Sequence, residues 1–314
     1  MHDGDGRVEC GLFFPQVATD FGGVLDRALA CEESGWHSIW LVDHMWARGM
    51  LDLDHLEIWV TLSALAAKTT KIRLGSMVLC NSYRNPALVA KMAASLDQIS
   101  HGRLELGLGA GWMEEEYKAY GWNFPPIRVR IEQLEEGLEV VRRLFTESRA
   151  TFQGKYYSLD DAPNNPKPVQ RPGPPITIGG AGERKLLRLV ARYADRWNCP
   201  SNAAHEMAHK LEVLRSHCAE VGRDPAAITV SEQVIVVLGK DEADFKQRWA
   251  MAKQFLGGFA DLDAVAVRGV AEQVIEGLRA KAEGGVQLFT VMFGDMAPPE
   301  TIRLFGEQVL PALR

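Results

Sequence analysis

The stretch that decides the fold is PITIGGAGERKLLRLVARYADRWN, residues 175–198. The β-branched run ITI at 176–178 predicts a short buried strand bounded by proline and glycine. A glycine turn, GGAG at 179–182, follows it, and leucine and valine then recur at helical spacing from residue 183. Unpaired amides at such a helix start can bind an anion, and phosphate is the obvious one. A tight turn that binds nothing is the alternative.

Seven further strand–helix units flank this one. Short connections between them indicate parallel strands, and eight such units in one chain predict a (β/α)8 TIM barrel with insertions at the carboxyl ends of the strands. No break in composition divides the chain, so residues 1–314 are predicted to form a single domain. A doubly wound sheet is the alternative fold. The other predicted strands are residues 8–14, 37–42, 72–79, 104–108, 194–199, 228–238 and 286–293.

Local signals set the ends of several elements. Asp20 is a predicted helix cap, and Asn85 with Pro86 is a cap followed by proline at the first helical position. Residues 151–159 predict a small hairpin that turns at Gly154, and residues 241–282 predict a variable helical region.

Composition narrows the class of protein. The net charge of −6 makes nucleic acid an unexpected partner. The five cysteines lack metal or redox spacing, so we expect reduced thiols and a cytoplasmic protein. The first ten residues, MHDGDGRVEC, are polar and do not resemble a signal peptide. No apolar run reaches the length of a membrane span, so no membrane association is expected.

In a (β/α)8 barrel, ligands bind at the carboxyl ends of the strands. That rule selects a set of residues rich in glycine, amide, hydroxyl and aromatic groups, with one histidine and no metal cluster. Small residues at 107–111 are predicted to let a flat ring lie against the strand, whereas the incomplete glycine spacing argues against a dinucleotide fingerprint. The set is Asp43, His44, residues 76–81, residues 109–114, residues 179–183 and Asn198.

His44 is the best candidate for proton transfer or for a hydrogen bond to a cofactor. The alternative is a structural histidine that pairs with Asp43 at the end of the strand.

The sequence HEMAH at 205–209 matches the H-E-x-x-H signature of zinc proteases. Met207 and Leu211 fall on one face of a helix, and His205 and His209 fall nearly opposite them. Both histidines are therefore predicted to face solvent on an outer helix, and no zinc site is expected.

With these residues collected, the chain resembles the bacterial luciferase-like monooxygenase superfamily, in particular its branch of probable coenzyme F420-dependent oxidoreductases. The matching motifs cover most of the chain up to residue 200. They are GWHSIWLVDH (35–44), TKIRLGSMV (70–78), NPALVAKMAASLDQISHGRLELGLGAGW (85–112) and PITIGGAGERKLLRLVARYADRWN (175–198).

The resemblance implies a dimeric barrel with a flavin or deazaflavin across the strand ends and His44 near the reactive edge of the ring. It also implies a bulge with a non-proline cis peptide, expected here at Ser76-Met77. The residues expected to bind the cofactor are Asp43, His44, Ser76, Met77, Gly109 and Ala110, with Gly179, Gly180, Ala181, Gly182 and Glu183 at the phosphate.

One departure from the family pattern concerns the acid. The deazaflavin dehydrogenases of sugar phosphates have a glutamate after the glycines of strand four, where this chain has Trp112. A sugar-phosphate substrate is therefore disfavoured. Trp46, Trp59 and Trp112 are predicted instead to wall an apolar substrate pocket, with packing at the top of the barrel as the alternative.

These features predict an F420-dependent hydride transfer to or from a small organic substrate, with His44 as the catalytic residue. The alternative is an FMN-dependent monooxygenase supplied with reduced flavin by a separate reductase. Outside the enzyme class, the alternative is an inactive barrel that binds a ligand. A homodimer is expected from the resemblance.

Overall fold

The computed structural model describes residues 8–258 and 260–313, so residues 1–7 of the polar amino-terminal stretch lie outside the described chain. The strands are β1 (Glu9–Phe13), β2 (Ser38–Leu41), β3 (Arg73–Ser76), β4 (Leu79–Cys80), β5 (Leu104–Gly109), β6 (Arg149–Gln153), β7 (Ser158–Pro163), β8 (Ile176–Gly179), β9 (Arg196–Cys199), β10 (Thr229–Leu238), β11 (Ala266–Gly269) and β12 (Leu288–Phe293).

Helices lie between the strands. They are α1 (Phe21–Glu33), α2 (Ile58–Lys68), α3 (Pro86–Ile99), α4 (Glu114–Ala119), α5 (Ile127–Thr146), α6 (Leu186–Tyr193), α7 (Met207–Val221), α8 (Glu242–Leu256), α9 (Leu262–Val265), α10 (Ala271–Glu283), α11 (Pro299–Gln308) and α12 (Leu310–Leu313). Of the helices in residues 8–258 and 260–313, none has the length and apolar character needed to cross a bilayer. All five cysteines lie within the described residues, where they are buried and form no disulfide.

Eight parallel strands close into a ring in the order β1, β2, β3, β5, β8, β9, β10 and β12. The ring closes where β12 pairs with β1, in the register Glu9 to Leu288. A doubly wound sheet has two free edges, so the closed ring confirms the predicted (β/α)8 barrel and rules out the alternative.

The eight predicted strands are all present, and their ends agree with the prediction to within two residues, with one exception. The predicted strand 72–79 is divided into β3 and β4, because residues 77 and 78 leave the ladder between them. The predicted caps are confirmed as well: Asp20 accepts from the amide of Gly23 at 2.8 Å, and Asn85 accepts from that of Ala87 at 2.9 Å.

Insertions follow β2, β5 and β10, all at the carboxyl ends of strands, as predicted. The β6–β7 hairpin was predicted at 151–159 and is slightly longer. One element was missed, because β11 lies within the region predicted to be helical and pairs in parallel with the far end of β10. Four residues are too few for a period-two pattern to be distinguished from helical spacing.

The inside of the barrel is polar at its amino-terminal end, which we call the base. We call its carboxyl end the mouth. At the base, the buried carboxylate of Glu105 binds both Arg73 and Arg196. In the middle, the Trp40 indole fills the space left by Gly11 and Gly75, where an added Cβ would lie under 3 Å from its ring. The ring of Trp40 therefore lies between the base and the mouth, and the residues selected from the sequence follow the strands at the mouth.

Candidate functional site

The glycine turn after β8 has the geometry expected of an anion site. Gly180 has φ +130°, a conformation that favours glycine, and its amide donates to the carbonyl of Asn198 at 3.0 Å. In the described chain, no acceptor is found for the amides of Ala181, Gly182 or Glu183. Helix α6 begins at Leu186, three residues later than the predicted start at Glu183, so these amides belong to the turn that precedes the helix.

The side chain of Glu183 faces an ammonium group and an imidazole. Lys210 Nζ lies 3.1 Å from its carboxylate and His209 Nε2 lies 3.4 Å from it. The bond from Lys210 is the main reason that the pKa of Glu183 is lowered from its ordinary value. Lys210 is only 3% exposed, so a buried ammonium group, which sequence reasoning missed, partly neutralises the glutamate beside the turn.

The side chains of the HEMAH sequence face the directions predicted for them. His205 and His209 are both exposed, while Met207 packs into the core at 8% exposure. Among the described residues, no group of three or more His, Cys, Asp or Glu side chains is arranged to hold a metal ion.

His44 lies at the mouth and is bonded to a glutamate that the sequence did not single out. Its Nδ1 lies 2.9 Å from Oε2 of Glu116, which also accepts from the Tyr83 hydroxyl at 2.5 Å. The other oxygen of Glu116 accepts from the amide of Met45 at 2.5 Å. Burial raises the pKa of Glu116, but the bonds from His44 and Tyr83 outweigh it and lower the pKa from its ordinary value. An ionised Glu116 accepts only, so the proton of the neutral imidazole is on Nδ1 and Nε2 is an acceptor.

The alternative pairing of His44 with Asp43 is wrong. Asp43 is 4% exposed and is held by both terminal nitrogens of Arg84, at 2.8 and 3.0 Å. It also accepts from the amide of Cys80 at 2.8 Å. Asp43 therefore fixes the segment after β4, and its carboxylate is bonded to Arg84 and Cys80 rather than to His44.

The expected bulge is present, but its cis peptide joins Met77 and Val78, one residue beyond the expected Ser76-Met77. Ser76 is 1% exposed, and its hydroxyl both donates to the carbonyl and accepts from the amide of Gly107, at 3.0 and 2.9 Å. The hydroxyl of Ser76 is therefore occupied within the sheet. Met77 packs against the aromatic residues inside the barrel.

The side chain of the bulge that packs against the glycines of β5 and β8 is that of Val78, whereas Ser76 and Met77 were the residues predicted to contact the cofactor. The methyl groups of Val78 lie where side chains on Gly107, Gly109 and Gly179 would be, at 2.6 to 3.0 Å from an added Cβ. The small residues of β5 were predicted to let a flat ring lie against the strand. In the structure, the space directly beside them is occupied by the side chain of Val78. Ala110, next in the chain, is half-buried and packs against the main core.

The three tryptophans lie in different surroundings. Trp112 is 57% exposed and stands edge-on to His44, with ring centres 5.5 Å apart. Trp46 stacks on Tyr120 at 5.9 Å. Trp59 is 4% exposed and belongs to the main hydrophobic core, so the structure places it away from the open surface of the mouth.

Sequence reasoning missed four residues of this arrangement. Nothing in the run EEE at 114–116 distinguishes the buried glutamate from its exposed neighbours, because α4 is too short to show a period. Tyr83 and Arg84 precede the cap at Asn85, and their proximity to β2 depends on the order of strands in the ring. The missed residues are Glu116, Tyr83, Arg84 and Lys210.

A closed parallel barrel with a glycine turn and a histidine–carboxylate pair at the mouth is typical of a (β/α)8 barrel enzyme. The chain belongs to the luciferase-like monooxygenase family, whose model matches residues 8–284.

Individual relatives differ in the cofactor that their names give. The chain is 32% identical over 225 residues to an F420-dependent glucose-6-phosphate dehydrogenase of Kineococcus radiotolerans, a match that covers 71% of this chain and 66% of that protein. It is 25% identical over 287 residues to an FMNH(2)-dependent dimethylsulfone monooxygenase of Pseudomonas putida, covering 81% of this chain and 78% of that protein.

Among solved structures, an F420-dependent secondary alcohol dehydrogenase in complex with an F420-acetone adduct has a similar fold. Its TM-score is 0.85 at 22% identity, and the match covers 98% of this chain and 99% of that chain. At that identity, the similarity shows the fold alone.

Proposed function

We propose that this protein is a coenzyme F420-dependent oxidoreductase that transfers a hydride between the deazaflavin and a small alcohol or carbonyl compound. The observation that carries the proposal is the 2.9 Å bond between Glu116 and His44 Nδ1 at the mouth of the barrel. It leaves Nε2 of His44 as a proton acceptor, and the oxidation of an alcohol needs such an acceptor next to the hydroxyl.

The turn at residues 179–183 fits the phosphate of the cofactor. Amides of Ala181, Gly182 and Glu183 without an intramolecular acceptor offer three donors to one anionic group. Val78 fills the space above the glycines of β5 and would support one face of the ring. The bound cofactor supplies the hydride chemistry, and the protein supplies binding, orientation and proton transfer.

The residues at the mouth account for the proton. When an alcohol is oxidised, Nε2 of His44 accepts the hydroxyl proton as the hydride leaves the carbon that bears the oxygen. The imidazolium that results is stabilised by ionised Glu116, which is held by Tyr83 and the amide of Met45. In the reverse direction the imidazolium returns its proton to the carbonyl oxygen.

The choice of F420 over FMN is supported by charge beside the turn. Arg184 and Arg188 are exposed, and no carboxylate in the described chain pairs with either of them. Lys185, also exposed, has Glu132 at 3.8 Å. These cations suit the acidic tail of a deazaflavin, which FMN lacks.

A second candidate is an FMN-dependent monooxygenase. The amides of the turn bind a phosphate without regard to the ring attached to it, and the Pseudomonas relative is named for reduced FMN. Its reaction differs in consuming oxygen and in needing a separate supply of reduced flavin.

Anaerobic titration with each cofactor tests the proposal. We expect F420 to bind at least tenfold more tightly than FMN, and its absorbance to change when a ketone or a secondary alcohol from a panel is added. Tighter binding of FMN, with stoichiometric oxygen use by the reduced complex, would replace the proposal with the second candidate. Binding of neither cofactor would reject both.

Gly182→Asp tests where the phosphate binds. Gly182 is exposed, and an added Cβ would meet only Cβ of Leu186, at 3.5 Å. A carboxylate here should repel the phosphate and weaken F420 binding about 30-fold, or about 2 kcal/mol. Gly182→Ala is the matched control and should change the affinity less than about threefold. Equal affinities of the two variants would place the phosphate elsewhere.

A further inference from the structure

We infer a second anion-binding site, for a multiply charged phosphate compound, in a crevice at the base of the barrel. The crevice has a volume of about 730 Å³, within the usual range for small-molecule sites. Its lining includes the first residues of β3, β8, β9 and β10. The glycine turn and His44 lie at the opposite ends of the strands, so the crevice is separate from the mouth.

Six arginines line the crevice, although the chain as a whole carries a net charge of −6. The charges are therefore segregated, with a concentration of guanidinium groups at one place on an acidic protein. The six are Arg73, Arg142, Arg171, Arg192, Arg196 and Arg223.

Three of these arginines have no carboxylate partner among the described residues. Arg142 donates to the carbonyl of Arg192 at 3.2 Å, and Arg223 donates to that of Ala191 at 3.2 Å. Arg171 donates to the carbonyl of Pro168. Carbonyls position these guanidinium groups without neutralising them, so their positive charge remains available to an anion.

Two more arginines share one carboxylate. Arg73 and Arg196 both bind the buried Glu105, one at each oxygen. The Nε of Arg196 is buried and has no hydrogen-bond partner. Burial lowers the pKa of Arg196 to about 10, and Arg73 contributes to this. An anion in the crevice would relieve this excess of positive charge.

Three of the other carboxylates near the crevice are already engaged, and one of these, Asp97, accepts from the amide and the side chain of Gln170. Asp195 accepts from the amide of Ile176 at 2.8 Å, and Glu135 binds Arg192. Glu9 lies 3.2 Å from His37, whose pKa is lowered to about 3 by burial and by the nearby arginines. His37 is therefore neutral at physiological pH and adds no charge, and the arginines outnumber these acids.

The arrangement indicates the class of ligand. Guanidinium groups on several sides of a half-open crevice suit an anion with several oxygens, because each group can form paired bonds to a phosphate. Tyr193 and Phe145 contribute apolar surface to the wall. A phosphate ester or a polyphosphate could bind both the guanidinium groups and this wall. The test distinguishes these two kinds of ligand.

Calorimetric titration at constant ionic strength provides that test, with inorganic pyrophosphate as the polyphosphate and phenyl phosphate as the ester. The protein carries Gly182→Asp, so that the turn at the mouth does not bind the probe. We expect at least one of the probes to bind at one site with a dissociation constant below about 1 mM. The tighter probe then identifies the source.

The variant pair Arg142→Gln and Arg223→Gln, made together, should weaken the binding at least tenfold. Arg215→Gln is the control, because Arg215 is an exposed arginine on α7 outside the crevice. Its replacement removes one positive charge, as each of the other substitutions does. Arg171→Gln alone, which removes an exposed side chain bonded only to the carbonyl of Pro168, should weaken binding about threefold and serves if the double variant does not fold. Absence of binding by either probe, or equal weakening by Arg215→Gln, would overturn the inference.

Discussion

Two buried glutamates, one at each end of the barrel, show how the same side chain serves different purposes. Glu105 at the base and Glu116 at the mouth are both fully buried. Glu105 lies between Arg73 and Arg196, so it ties together β3, β5 and β9. Glu116 binds His44, which is a quarter exposed and stands beside Trp112.

The difference lies in what each carboxylate is bonded to. At the base, the carboxylate of Glu105 is balanced by two guanidinium groups, and the arginines that carry them lie on strands of the barrel. At the mouth, the carboxylate of Glu116 binds the Tyr83 hydroxyl, the amide of Met45 and the imidazole of His44, and this imidazole reaches solvent. We therefore expect the base to control stability and the mouth to control reactivity.

Glu105→Gln should have the largest effect, and the effect should be on stability. Two guanidinium groups lose their only buried carboxylate, and breaking such a network costs about 3–5 kcal/mol. Urea unfolding measures the loss, while the specific activity of the folded protein should change less than twofold. Glu135→Gln, which removes an exposed partner of Arg192, is the control and should cost under about 1 kcal/mol. A large loss of activity in folded Glu105→Gln would contradict the division between the two ends.

Glu116→Gln should have the next largest effect, and the effect should be on the rate. The amide can accept from Nδ1 of His44, but it cannot stabilise the imidazolium, so kcat should fall about 100-fold. The measurement is F420 turnover with the best substrate of the alcohol and ketone panel. Binding of the cofactor should change less than about threefold, because Glu116 does not line the glycine turn.

Glu114→Gln is the matched control for this variant. Glu114 is exposed in the same run of glutamates and pairs only with Lys118, at 2.9 Å. Its replacement should leave kcat within twofold of the original value. If both variants lose activity equally, the buried carboxylate has no special role at the mouth.

The same comparison shows which features could be predicted from the sequence. The strands and the glycine turn are local: each is specified by residues that are neighbours in the chain. The pair of His44 and Glu116 joins segments that are 72 residues apart, and it exists only once the barrel has closed. The same holds for the base, where Glu105 meets Arg196 across 91 residues.

The errors have the same origin. Asp43 was the obvious neighbour of His44 in the sequence, but consecutive residues of an extended segment point to opposite sides, and Arg84 meets the aspartate instead. The cis peptide was misplaced by one residue, because the motif alone does not specify which bond of the bulge is cis. Trp59 looked like a pocket wall, but the register of α2 turns it into the core.

Glu32→Gln should have the smallest effect on stability. The pH dependence of this effect shows whether it comes from the charge of Glu32. Glu32, at the end of α1, accepts from the amides of Thr70, Lys71 and Ile72 just before β3, at 2.6 to 3.0 Å. Burial raises the pKa of this carboxyl, but the bonds from these amides outweigh it and lower the pKa to about 2. The replacement should cost about 1 kcal/mol at neutral pH, since the side chain is partly solvated.

The sign of the pH effect follows from the lowered pKa. The folded protein holds Glu32 ionised at a pH where the unfolded chain has already bound a proton, so the stabilisation is complete above about pH 4.3, the ordinary pKa of a glutamate, and is lost as the pH falls towards 2. The difference in unfolding free energy between the original protein and Glu32→Gln should therefore shrink below about pH 4. Glu33→Gln, whose exposed carboxylate pairs with Arg303 at 3.1 Å, should show a difference near zero throughout. A difference for Glu32→Gln that stays constant down to about pH 3 would mean that packing, rather than the charge of Glu32, stabilises the segment before β3.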